Sequence, residues 1–144
     1  MNYTIYDPAT GKIINQVGGQ NADSMARYLE GKSYLEGKYD GKLFYVKDGV
    51  AVAMPTEPRH SYKKYKFNWD THEWAIDLVA TERLIRSIRN NLFANIDKMN
   101  PVWYSTLSDQ QKQELVDYRQ AIIDITDQPN FPLDVVFPTA PTWL

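Results

Sequence analysis

Hydrophobic positions change period about halfway along the chain. In the first half they alternate in short runs separated by turn residues, the signature of strands. Tyr3 to Tyr6 alternates, Asp7-Pro8-Ala9-Thr10-Gly11-Lys12 turns, and Ile13 to Val17 leaves again. Pro8 presets a turn φ and Gly11 is free to take a positive one, which predicts a hairpin. Asp23 to Leu29 carries Met25, Ala26, Tyr28 and Leu29, a short helix or turn ended by Gly31, and Tyr34 to Gly37 is a short extended piece. Leu43 to Val46 and Val50 to Met54 flank Asp48-Gly49, the strongest hairpin signal in the chain. After the break at Pro55 and Pro58, Tyr62, Tyr65 and Phe67 lead into a third hairpin that turns over Asn68 to Glu73 and leaves through Trp74-Ala75-Ile76.

From Thr81 onward the period becomes helical. Leu84, Ile85, Ile88, Leu92 and Ile96 define a first helix with Thr81 as its expected cap and Asn100-Pro101 as its stop. A second helix opens at Ser108, with Gln111 three residues on, so each side chain can satisfy the other's backbone N–H. Leu115, Tyr118 and Ile122 line one face, while Lys112, Glu114, Asp117 and Gln120 stay polar, and Asp127-Gln128-Pro129 ends the helix. The remainder is apolar and punctuated by Pro129, Pro132, Pro138 and Pro141. The expected fold class is therefore α+β: N-terminal antiparallel β-hairpins, then a two-helix antiparallel pair and an extended Pro-rich C-terminal tail. The expected divisions are a β-hairpin module over 1–58, an aromatic hairpin connector over 59–80, and the helical pair with its tail over 81–144.

Composition narrows the function more than it names it. The chain has 144 residues and 43% hydrophobic positions, enough for one ordinary domain or two small modules. A net charge of −2 gives no general pull towards nucleic acid or an anionic membrane. Cysteine is absent, which removes disulfides, thiol catalysis and thiolate metal sites. Met1-Asn2-Tyr3-Thr4 has neither the basic nor the apolar region of a signal peptide, and no apolar run approaches the roughly 20 residues of a membrane span. A cytoplasmic protein that does not enter membranes is expected.

Candidate chemistry is sparse. Gly31-Lys32-Ser33 resembles the end of a phosphate-binding loop, yet the earlier glycine that pattern requires is replaced by Ala26. Asp70, His72 and Glu73 lie in an exposed turn, where polar residues need no function. Arg59 to Phe67 is basic with interleaved aromatics, as in single-strand nucleic-acid grooves. Strand alternation explains it more simply, with Tyr65 and Phe67 inward and Lys64 and Lys66 in water. Arg83, Arg86 and Arg89 form a solvated helix face. No catalytic residue, metal ligand or cofactor site is assigned, and an enzyme is not expected.

The order of several phrases is more telling. Arg89-Asn90-Asn91-Leu92-Phe93-Ala94 with Asp97, then Tyr118-Arg119-Gln120-Ala121-Ile122-Ile123-Asp124-Ile125, then Phe137-Pro138-Thr139-Ala140-Pro141 resembles the bacteriophage tail assembly chaperone / tail-fibre assembly family. Lys98 stands where that family usually has tryptophan, Ile123 where it has a second arginine, and Phe137 where tryptophan precedes the proline. Tyr6 to Ile13, Tyr45 to Gly49 and Phe67-Asn68-Trp69 with Trp74 look like hairpin phrases of phage tail accessory proteins. The resemblance implies a non-enzymatic tail morphogenesis protein that binds phage tail, tail-fibre or baseplate proteins in the host cytoplasm. A permanent subunit of the virion tail is the alternative, a single-stranded nucleic-acid module a remote one, and a homo-oligomer is left open. The residues expected to carry interactions are Trp103, Tyr118, Arg119, Ile122, Phe137, Pro138 and Trp143. Of these, Tyr118, Arg119 and Ile122 are expected to join the helices, Trp103 to anchor the connection, and the last three to dock the tail.

Overall fold

The computed structural model describes Met1–Leu144 as an α+β chain with antiparallel hairpins and four helices, divided into two compact units. The first comprises Met1–Pro58 and Phe67–Ala75; the second comprises Arg59–Lys66 and Ile76–Leu144.

In the first unit, β1 (Asn2–Tyr6) lies between β2 (Ile13–Gly18) and β3 (Tyr34–Glu36) in an antiparallel sheet. The predicted first turn forms as its residues dictate. Asp7 accepts the Ala9 N–H at 2.9 Å on one carboxylate oxygen and the Thr10 hydroxyl at 2.9 Å on the other. Gly11 exits at φ +75°, and a Cβ there would lie 2.0 Å from the Val46 carbonyl oxygen, so only glycine fits. Register slips at Ile5/Tyr6, where Tyr6 pairs with Ile13, leaving Ile14 as the extra residue of a bulge.

α1 (Ala22–Leu29) begins at Asn21, whose side chain accepts the Asp23 and Ser24 N–H groups. It buries Met25 and Leu29 against Ile5, with Tyr3 and Val17 at the margin. Between β4 (Phe44–Lys47) and β5 (Val50–Ala53), Asp48 and Gly49 take φ of 52° and 74°, the two positive values that a tight hairpin turn requires. The third hairpin, β6 (Tyr65–Asn68) and β7 (Glu73–Ile76), forms where alternation placed it. Tyr65, Phe67 and Trp69 are half-buried while Lys66 and Asn68 face solvent.

Two features of the second unit differ from expectation. α2 (Leu78–Asp97) starts a turn earlier than Thr81, because the Asp77 carboxylate takes the Ala80 N–H at 3.0 Å and caps the helix first. Thr81 is instead completely buried, and its hydroxyl accepts the Lys64 N–H at 2.9 Å. Asn100-Pro101 also does more than stop α2. Asn100 accepts the Val102 N–H at 2.7 Å and Pro101 occupies the first position of a further short helix, α3 (Pro101–Ser105). α4 (Asp109–Ile123) has the full reciprocal cap between Ser108 and Gln111, and a 3-10 turn follows over Asp124–Asp127. Ile85, Ile96, Leu115, Tyr118, Ile122 and Ile125 form the core, with Tyr62 and Val135 closing it.

Candidate interaction surface

Residues 128–144 do not stand away from the second unit. Val135 is buried, and Phe131, Phe137 and Trp143 pack against the core formed by α2 and α4. The bonds that hold the segment follow from what an extended backbone leaves unsatisfied. The Tyr62 hydroxyl accepts the Val135 N–H at 2.9 Å. The Gln128 side-chain amide accepts the Val136 N–H at 2.8 Å and donates to the Val136 carbonyl at 2.8 Å, in place of a neighbouring strand. Lys63 pairs with Asp134 at 3.3 Å, and the Trp143 indole N–H donates to the Glu114 carboxylate. Three of these anchors meet Asp134, Val135 and Val136 and the fourth meets Trp143, so the segment is held at its middle and near its end.

The residues expected to carry interactions separate into three settings. Tyr118 and Ile122 are interior, Ile122 with no exposed surface at all. Arg119 is exposed; its guanidinium lies 5.3 Å from the Phe93 ring centre, and its Nε is 3.4 Å from the Asp97 carboxylate. Arg89 lies 5.2 Å from the same ring and donates to the Ile122 carbonyl at 3.2 Å, so Phe93 is shared by two arginines. Trp103 faces Trp143, with ring centres 6.3 Å apart and planes inclined by 31°. Around Trp103, Val102 is 71% exposed and Tyr104 41%, so α3 presents apolar side chains outward, as the start of α2 does with Leu78 and Val79. Phe137 meets Tyr62 edge-on at 5.5 Å, and Pro138 is half-buried beside it in the chain.

Residues 82–142 match the family model described as phage tail assembly chaperone protein. Over these residues, less than half of the chain, the sequence is similar to the phage tail assembly chaperone family. The matched segment takes in α2 from Glu82 onward, α3, α4 and most of the docked segment, and the phrases that resembled the family all lie inside it. No curated protein and no solved structure matches the chain.

Several partners of the matched segment escaped the sequence reading. Tyr62 looked like one more inward residue of a hairpin, and Gln128 like a helix terminator. Their roles arise only when the C-terminal segment returns. Phe93 and Glu114 carried a usable signal, an aromatic and a carboxylate recurring on helix faces, but no indication of their partners.

The other candidate clusters are accounted for by packing. Gly31-Lys32-Ser33 follows α1 and precedes β3, the reverse of the strand-then-helix order a phosphate loop needs. The His72 ring stacks on Tyr45 with centres 4.4 Å apart and bonds the Thr10 carbonyl at 2.9 Å. In the basic stretch, Tyr62 is buried, Lys63 is paired with Asp134, Tyr65 and Phe67 are half-buried, and Lys64 and Lys66 are exposed, as strand alternation predicts. No three histidine, aspartate or glutamate side chains are placed to share a metal ion, and no helix is long and apolar enough to cross a membrane.

Proposed function

We propose that this protein is a non-enzymatic tail morphogenesis factor that binds phage tail, tail-fibre or baseplate proteins in the host cytoplasm during assembly. The single observation that carries the reading is the family match over 82–142, which lies on the helical segment bearing an outward apolar face. In this reading α2 and α4 form the rigid pair, and the Pro-rich tail completes their surface. Val102 and Tyr104 on α3, with the Trp103–Trp143 contact beneath them, meet the client. Exposed apolar residues flanked by polar ones are what a transient partner site requires. Trp103, Arg119, Phe137, Pro138 and Trp143 act in it directly or by holding the tail, and Tyr118 and Ile122 act by joining the helices.

Co-expression with the tail proteins of the encoding phage tests the reading. Binding to one of them, weakened by Val102→Asp and Tyr104→Asp in protein that still folds, is the expected result. Failure of every tail protein to bind or to change solubility overturns it. Mass spectrometry of purified particles beside their lysate then separates a factor that leaves from a permanent virion subunit. Presence at a fixed ratio to a known tail protein would identify the permanent subunit.

A further inference from the structure

The open edge of the first unit's sheet is written as its own complement. β3 is an edge strand, paired only with β1. The bonds from Tyr6 N to the Ser33 carbonyl and from Gly37 N to the Asn2 carbonyl show which β3 residues face β1. They are Ser33, Leu35 and Gly37, since the peptide groups of alternate strand residues point the same way. Tyr34 and Glu36 therefore direct their N–H and C=O groups outward, and none of these groups is hydrogen-bonded within the chain.

The sequence around this edge is Glu30-Gly31-Lys32-Ser33-Tyr34-Leu35-Glu36-Gly37-Lys38. Laid antiparallel on a second copy about a two-fold axis at Tyr34, it places Lys32 opposite Glu36 and Tyr34 opposite itself, while the turn at Glu30-Gly31 and the positive φ of Gly37 end the register on either side. The backbone allows that register, and the charges favour it over a two-fold at Leu35, which would set Tyr34 opposite Glu36. In the favoured register Tyr34 would exchange both outward groups with Tyr34 of the copy, and each Glu36 N–H would meet the opposite Lys32 carbonyl. The Lys32 N–H is already given to Leu29, so the pairing ends there.

We infer that two copies of this chain associate through β3, joining their three-stranded sheets into one continuous sheet. Lys and Glu on an edge strand commonly prevent such pairing, because like charges meet when copies approach. Here the order of signs reverses about Tyr34, so approach in this register brings opposite charges together. Lys32 and Glu36 are both exposed, and neither takes part in an ion pair within the chain. The Lys32 ammonium rests over the Tyr28 ring and donates to the Tyr28 carbonyl, which leaves it donors for a carboxylate. Tyr34 is 44% exposed and supplies an aromatic pair at the centre of the contact.

Sedimentation of the full chain over a concentration series tests this, with circular dichroism confirming that each variant folds. The wild type should move from 16.7 kDa towards twice that mass. Glu36→Lys alone and Lys32→Glu alone should each weaken association by about ten-fold, since two ion pairs become two repulsions. An equimolar mixture of the two single variants should recover it as a heterodimer, and so should the double variant Lys32→Glu/Glu36→Lys. Tyr34→Pro removes the central outward N–H at an edge position that tolerates proline, and should also give a monomer. A wild type that stays monomeric overturns the inference. So does self-association indifferent to the reversals, or one not recovered on mixing.

Discussion

The hydroxyl of Tyr62 accepts the backbone N–H of Val135 at 2.9 Å, across 73 positions of sequence, and both residues are buried. A single oxygen thus satisfies an amide that the C-terminal segment cannot satisfy alone. Tyr62→Phe keeps the edge-on contact with Phe137 but leaves that amide without an acceptor. The expected loss is about 1–3 kcal/mol, the cost of an orphaned buried donor. Denaturant unfolding measures it, and hydrogen exchange at Val135 should quicken selectively. Unchanged stability with unchanged exchange would show that the amide is satisfied some other way.

Tyr118 sits in the core of the second unit, 9% exposed, beside Ile122 and Leu115 on α4. Truncating it to alanine should cost about 3 kcal/mol, within the range for large core side chains. The magnitude depends on how far α2 and α4 close over the space. A melting temperature within a degree or two of the wild type would contradict the placement.

Local chemistry made some of this architecture legible and long-range chemistry hid the rest. Asp48-Gly49 and Ser108 with Gln111 act within a few residues of themselves, so their geometry follows from neighbours already known. Thr81 was legible as a cap only while Asp77 was ignored; both can cap, and the earlier residue wins because its side chain takes the free Ala80 amide. Asn100-Pro101 is ambiguous in principle, since the features that end one helix also begin another. That residues 128–144 dock was expected, but what they dock on was beyond reach because the determinants, Tyr62, Lys63 and Glu114, belong to other elements. The same limit applies to the candidate surface. Trp103 and Trp143 stood out by type, but nothing local said that they face each other.

Asp7 offers a prediction in pH. Hydrogen bonds from the Ala9 N–H and the Thr10 hydroxyl favour its ionised form and hold its pKa below the ordinary value of 3.8. A lowered folded-state pKa means that the unfolded chain binds the proton more readily. The contribution of the turn is therefore present above pH 3.8 and is lost as pH falls through the lower folded value. Carboxyl carbon shifts followed by NMR should place the Asp7 midpoint below 3.8, and Asp7→Asn should flatten the acid limb of the stability curve. A midpoint at or above that value would mean the turn does not hold the carboxylate in solution.

Arg119 lets structural and functional roles be separated on one exposed patch. Its contact with Asp97 is long, 3.4 Å, and both side chains are about half exposed, at 46% and 55%. Such pairs contribute roughly 0–1 kcal/mol. Asp97→Asn should therefore leave the melting temperature nearly unchanged. Arg119→Ala also removes the guanidinium from the Phe93 ring, and should cost at most about 1 kcal/mol more, since Arg89 keeps its own place on that ring. If this patch meets a tail protein, Arg119→Ala should weaken that binding by more than the loss of stability explains, and Arg119→Lys should restore charge without restoring the planar contact. Calorimetric binding beside thermal melts of the same variants decides it. Equal and small effects in both would leave Arg119 a surface residue of the fold and move the contact to α3.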